Sequence, residues 1–215
     1  MADARINQLD ARRYWQGIDA DNGGMLGGYG YISGIDLRGS RSFFQKLDLS
    51  FSGAKLLRAV DCGAGIGRIT KGLLLDIATT VDIVEPIDKF SNAIKGTPGI
   101  GGIYNCGLED WLPTHNYSLI WNQWCLGYLN DAQLLAHLKK CVGVLEPDGV
   151  IIVKENVSTS QVDIFDDIDS SVTRTDEKFL DIFDQSELKI KRAEIQYGFP
   201  KGLYPVKMYA LHPKV

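Results

Sequence analysis

An acid followed by three glycines at alternate positions, Asp61, Gly63, Gly65 and Gly67, is the pattern in this chain best suited to holding a small charged ligand. It follows an apolar run (Leu56, Leu57, Ala59, Val60) and precedes a helical one (Ile69, Leu73, Leu74, Ile77), so strand, turn and helix are expected in that order. Glycines at such a turn reach backbone conformations closed to other residues and let a ligand approach closely. The phosphate-loop spacing Gly-x-x-x-x-Gly-Lys-Ser/Thr is absent. The dinucleotide fingerprint starting at Gly63 would need glycine at position 68, where Arg68 stands. A pyrophosphate favours a helix N-terminus with no acid beside it. Asp61 suits a cation instead, and the Arg68 guanidinium can hold both oxygens of a carboxylate. Glu85 follows Gly65 by 20 residues and ends the run Val81-Asp-Ile-Val-Glu85. There it can accept both hydroxyls of a ribose.

Two further groupings could do chemistry. Asp163, Asp166, Asp167 and Asp169 put four acids within seven residues. Charge alone favours a solvated loop over a cation site. Trp121 and Trp124 flank Asn122 and Gln123 at the end of an apolar run. Ligands in open α/β sheets bind at that end of a strand, and alternation makes Trp121 structural and Trp124 site-lining.

The elements that must position these residues alternate. Strands are expected at 56–61, 80–85, 102–105, 117–122 and 149–154, and helices at 67–77, 88–95 and 130–144, with Glu146-Pro-Asp-Gly149 as a turn before the last of these strands. This alternation predicts a parallel sheet covered on both faces. A helix over 174–185 and strands at 188–196 and 205–211 follow, joined by a hairpin-like loop at 197–204. Ahead of the sheet lie an amphipathic helix at 5–17, a glycine-rich stretch at 23–31 and a helix at 38–48. Met25, Leu26, Tyr29 and Tyr31 sit among those glycines, so the stretch reads as a loop packed on something rather than a free linker. There is no internal repeat. The expectation is one domain over 1–215, with 1–50 as a helical extension and loop covering the site.

With 215 residues, 45% of them hydrophobic and 23% charged, the chain has the composition of a soluble globular protein. The net charge of −4 and the lack of a basic stripe argue against nucleic-acid binding. No apolar run approaches a membrane span, and the N-terminus lacks a signal-peptide shape. Cys62, Cys106, Cys125 and Cys141 are widely spaced and His115, His137 and His212 are isolated, so no metal site is expected. The cysteines suit a reducing compartment, cytoplasmic or nuclear.

Asp-x-Gly-x-Gly-x-Gly resembles motif I of the class I S-adenosylmethionine-dependent methyltransferases. That cofactor has no phosphate and carries a sulfonium and an ammonium, which agrees with Asp61. Longer stretches narrow the resemblance: Gly27-Gly-Tyr-Gly-Tyr31, Asp61–Thr70, Ile120-Trp-Asn-Gln-Trp124, Val153-Lys-Glu-Asn156 and Asp166-Asp-Ile-Asp-Ser-Ser171. Together they resemble the eukaryotic protein α-N-terminal methyltransferases, from about Tyr14 to Leu211. The resemblance implies a doubly wound, mostly parallel seven-stranded α/β fold. It also implies methylation of the α-amine of proteins with an exposed X-Pro-Lys N-terminus (X being Pro, Ala or Ser), ribosomal proteins among them. For the cofactor it implies Gly63, Gly65, Arg68, Glu85, Leu108 and Gln123, with Asp61 beside them and the loop from Met25 to Tyr29 closing over the site. For the substrate it implies Tyr14, Trp15, Leu26, Trp124, Asn156, Asp166, Asp169, Ser171 and Tyr204. The second-position proline would lie against tryptophan and the third-position lysine against the acids of 166–169.

Methyl transfer to an amine needs the neutral amine, and an α-amine has a pKa of about 8. A modest base with good alignment suffices. Asp169 is the candidate base, Asn156 the residue holding the substrate's first position, and Tyr128 a third participant. Relatives often carry histidine where Trp124-Cys-Leu-Gly-Tyr128 places tyrosine, so either Tyr128 only hydrogen-bonds or Asp169 acts alone. A methyltransferase for a small amine or carboxylate is the alternative, and it would have no use for an acidic lysine-binding loop. A non-catalytic cofactor-binding subunit and a nicotinamide enzyme fit less well. The number of methyls added, the first-residue preference and the oligomeric state stay open.

Overall fold

The computed structural model describes residues 1–47 and 55–214. The chain enters through α1 (Gln8–Gly17), whose first N–H groups are capped by the Asn7 side chain. Next come the short α2 (Asn22–Met25), a 3₁₀ turn at Gly30–Ile32 and α3 (Ser33–Gln45). The glycine-rich stretch is therefore partly helical rather than an open loop. Asp21 supplies the reason: its carboxylate accepts the N–H of Gly24 at 2.8 Å and starts the turn. The helix expected at 38–48 begins five residues earlier, and residue 48 lies outside the described residues.

Then β1 (Leu56–Cys62) runs into the glycine turn, a π-helical turn at Thr70–Leu74 and α4 (Leu75–Ile77). A continuous α-helix was expected here. Arg41 of α3 reaches across to this turn, its Nη2 donating to the Gly72 carbonyl at 2.8 Å and to Asp76 at 2.7 Å. The chain continues through β2 (Ala78–Val84), α5 (Asp88–Asn92), β3 (Ile100–Tyr104), β4 (Tyr117–Gln123), α6 (Asp131–Gly143) and β5 (Leu145–Asn156). The expected turn at 146–149 lies within β5 as an irregularity. Tyr117 pairs with Leu145 but Leu119 pairs with Val150, so β5 carries extra residues there. A small hairpin follows, β6 (Ile164–Asp166) against β7 (Ser171–Thr173), with strands too short for their periodicity to be read from sequence. The chain closes with α7 (Asp176–Gln185), β8 (Leu188–Gln196) and β9 (Val206–Pro213).

The sheet order is β3-β2-β1-β4-β5-β9-β8. Strands β1 to β5 are parallel, and β9 and β8 are antiparallel additions. Alternation along the strands fills both faces. Val60, Ile120 and Val153 pack with Leu134 and Leu138 of α6 and Phe179 and Phe183 of α7. Ala59, Leu119, Trp121 and Ile152 pack on the other side with Phe43 of α3 and Leu73 and Leu74. A doubly wound sheet opens a crevice where the strand order reverses, outside the carboxyl ends of its strands. Here that point lies between β1 and β4, which brings the glycine turn after Cys62 next to the segment that starts at Trp124.

Candidate active site

A cavity with about 1000 Å³ of open space lies at this switch point. Its lining includes every residue expected to hold the cofactor: Met25, Asp61, Gly63, Gly65, Arg68, Glu85, Leu108 and Gln123. The chain turns there through left-handed backbone at Gly63 (φ 67°) and Gly65 (φ 54°). A Cβ on Gly65 would sit 2.7 Å from the Met25 sulfur, so the glycine-rich segment lies directly on the turn. Helix α1 covers the far side. Its Ala11, Arg12 and Trp15 line the cavity, and Arg12 bonds Glu109 at 2.9 Å.

The electrostatics are those of a site for a cation. Asp61 is buried and accepts the Thr70 hydroxyl at 2.5 Å, and burial pushes its pKa up to about 6. Glu85 accepts the N–H groups of Gly65 and Ile87, each at 2.8 Å, yet burial still raises it to about 7. Neither acid is paired with a cationic side chain among the described residues. Arg68 gives one nitrogen to Asp36 at 2.5 Å and is part of the cavity lining. Leu108, Ile87 and Phe90 add apolar walls. This set fits a ligand with a cationic centre, paired hydroxyls, a carboxylate and a flat apolar ring, which is the make-up of S-adenosylmethionine. Among the described residues no group of three or more His, Cys, Asp or Glu is placed to hold a metal ion, and no helix is long and apolar enough to cross a membrane.

A second cavity, open to solvent, adjoins the first. Trp15, Met25, Trp124 and Tyr128 line both. Tyr14, Leu26, Asn156, Asp169, Ser171 and Tyr204, all expected around a substrate, line the second. Asp166 does not. It is exposed at the end of β6, where its carboxylate accepts the Ile168 N–H at 2.9 Å, although its charge reaches Tyr14. Asp163 is structural, accepting the Thr175 N–H at 2.8 Å beside the start of α7. Asp169 accepts the Tyr128 hydroxyl at 2.8 Å and the Ser171 N–H at 3.1 Å. Burial and the Asp169 charge hold the Tyr128 phenol well above its ordinary value, so Tyr128 is a donor to Asp169 and not a base. Trp121 is fully buried and donates to Gln123 at 3.0 Å, while Trp124 borders both cavities.

Two acids that sequence reasoning passed over are central here. Asp36 of α3 is fully buried; it pairs with Arg68 and Lys154 and accepts Gln123 at 3.0 Å. Glu155 lines the second cavity, accepts the N–H groups of Cys125 and Leu126 and is raised by burial to about 7. Glu155 was legible as the neighbour of Asn156 on a strand that ends at the site. Asp36 had no local signal.

A family model described as AdoMet-dependent proline di-methyltransferase matches residues 3–212. The chain belongs to this family. Alpha N-terminal protein methyltransferase 1 of Schizosaccharomyces pombe is 46% identical over 209 residues, covering 95% of each chain. N-terminal Xaa-Pro-Lys N-methyltransferase 1 of Xenopus tropicalis is 41% identical over 209 residues, covering 94% of this chain and 93% of the relative. A SAM-dependent methyltransferase of Leishmania major superposes with a TM-score of 0.87 at 36% identity, covering 95% of this chain and 82% of its own. The methyltransferase therefore has the class I fold and uses S-adenosylmethionine. The cavity at the switch point is where its residues meet that cofactor's chemistry.

Proposed function

We propose that the methyltransferase modifies the α-amino nitrogen of proteins that begin, after methionine removal, with X-Pro-Lys, where X is Pro, Ala or Ser. The observation that carries this reading is the second cavity: an open, aromatic-walled cavity that holds Asp169 and Asn156 and shares Trp15, Met25, Trp124 and Tyr128 with the first. An N-terminus entering it brings its amine to the shared wall, while Trp124 flanks the proline ring and the exposed Asp166 and Asp167, on the hairpin beside the cavity, draw the lysine. Asn156 holds the first residue. S-adenosylmethionine supplies an electrophilic methyl on sulfur. Asp169, oriented by Tyr128 and the Ser171 N–H, accepts the proton that the amine must lose. A secondary proline nitrogen takes two methyls and a primary amine up to three.

Ribosomal proteins with this N-terminus are natural candidates. The whole chain, 1–215, acts as one domain in this reading, with 1–50 as the extension over the site, of which residues 48–50 lie outside the described residues. Four unpaired cysteines support a cytoplasmic or nuclear location.

The test is incubation with labelled S-adenosylmethionine and peptides starting Pro-Pro-Lys, Ala-Pro-Lys and Ala-Pro-Glu, with methyls counted at the N-terminus by mass spectrometry. Two methyls on the first, up to three on the second and little on the third are expected. Absence of transfer to either Pro-Lys peptide would sink the substrate reading and leave the family intact.

A further inference from the structure

Trp124 has left-handed backbone, with φ at 52°. For a bulky side chain this conformation is strained and persists only where the surroundings dictate it. The β4–β5 ladder ends at the pair Gln123 and Lys154, and the Trp124 N–H still reaches the Lys154 carbonyl at 3.1 Å. Where the ladder stops, the next residue of β5 takes over with its side chain. Glu155 Oε1 accepts the N–H of Cys125 at 2.9 Å and that of Leu126 at 2.9 Å. Arg174 then takes the Leu126 carbonyl at 3.0 Å. Both polar backbone groups of Leu126 are thus held by buried charged side chains.

The strained turn decides where the indole goes. An extended Trp124 would continue the strand and put its ring on the face of Asn122, which packs against His137 of α6. The turn instead places the ring between the two cavities. It also starts the 3₁₀ turn at Leu126–Tyr128 that delivers the Tyr128 hydroxyl to Asp169.

We infer that Glu155 is a positioning residue for the acceptor side of the site. By accepting two consecutive backbone N–H groups it holds Trp124 in its strained conformation and sets the path to Tyr128. Its consequence for substrate rests on the X-Pro-Lys reading; the clamp itself does not. What the clamp requires is an acceptor oxygen, not a negative charge. Glu155→Gln keeps that oxygen, whereas Glu155→Met fills the volume without it.

The experiment compares these two variants with the wild type in three measurements: kinetics on a Pro-Pro-Lys peptide, calorimetric affinity for S-adenosylmethionine, and residue-resolved amide exchange. In Glu155→Met, KM for the peptide is expected to rise at least 10-fold. The Cys125 and Leu126 amides should exchange at least 10-fold faster, and cofactor affinity should stay within 3-fold. In Glu155→Gln all three should stay within 3-fold of wild type. If the methionine variant does not fold, Glu155→Ala replaces it, since the space it leaves lets water reach both N–H groups; the same changes are expected. Glutamine and methionine variants that behave alike, or amides whose exchange is unmoved, would overturn the inference. A wild type inactive on Pro-Pro-Lys sinks the substrate reading instead, and the exchange data still decide the clamp.

Discussion

Asp169 and Tyr128 divide two tasks that a single histidine could combine. The phenol donates to Asp169 and is held protonated, so in the proposed reaction it is the carboxylate that takes the proton. Asp169→Asn is expected to lower kcat about 100-fold near pH 7, the size typical of a lost general base. The deficit should shrink toward pH 9, where solvent alone provides neutral amine. Tyr128→Phe removes one hydrogen bond to a charged group, worth about 1.5–3 kcal/mol, and should cost about 10- to 150-fold in kcat/KM. Cofactor affinity should hardly move in either variant, and a full pH–rate profile with calorimetry checks all of this. Asp61 and Glu85 lead to a different prediction. Burial raises them to about 6 and about 7 from 3.8 and 4.5, so each is protonated in the apo protein over part of the neutral range. A cationic ligand and ribose hydroxyls both favour the ionised forms and pull these values down. Cofactor binding at pH 6.5 should therefore release protons, seen as a dependence of the calorimetric heat on the buffer's ionisation enthalpy. The sign for folding follows the same logic. Folded-state values above the unfolded ones mean that these two acids contribute less to apo stability as pH rises from about 4 to about 7.

At the scale of elements, α3 is tied to the site by one carboxylate. Asp36 reaches Arg68 and Gln123, which line the cofactor cavity, and Lys154, which lies in the middle of the sheet. Burial depresses Lys154 to about 8, while Lys154 and Arg68 hold Asp36 below its ordinary value despite its burial. Removing one member of such a group leaves buried charge without a partner, at a cost of about 3–5 kcal/mol. Asp36→Asn should lower the thermal midpoint by several degrees and weaken cofactor binding, because Arg68 and Gln123 lose their anchor. Thermal unfolding and calorimetry on the same sample test it, and a variant with wild-type midpoint and affinity would remove Asp36 from the site. The glycine turn, its strand and Glu85 were legible because they are local: an apolar run, a spacing and an acid. Strand alternation marked Trp121 as structural, whereas Trp124 reaches the site only through its left-handed turn. Asp36 lies ahead of the helix expected at 38–48 and carries no local signal in sequence. Its partner Lys154 is 118 residues away, and only packing of α3 on the sheet brings them together.

For the molecule as a whole, charge has a use beyond solubility. The net charge is −4, and Asp166 and Asp167 are exposed on the hairpin that flanks the second cavity. A substrate with a lysine at position three is drawn by this field, and salt screens it over about 10 Å at 0.1 M. Raising ionic strength from 50 to 500 mM should lower kcat/KM for Pro-Pro-Lys about 5-fold, mostly through KM. A flat salt response in initial-rate measurements would show that the acids do not steer the substrate.

The amino-acid order by itself determined the fold class, the methyl donor and the strand ends where chemistry happens. Each depends on short-range facts: hydrophobic period, glycine spacing, and an acid at a strand terminus. Tertiary structure decided which of the acids near Asp166 enters the cavity, that Tyr128 donates to Asp169, and that Asp36 and Glu155 hold the two sides of the site. Those are meetings between segments far apart in the chain, and the burial that raises or lowers each group exists only once the sheet and its covering helices have closed around it.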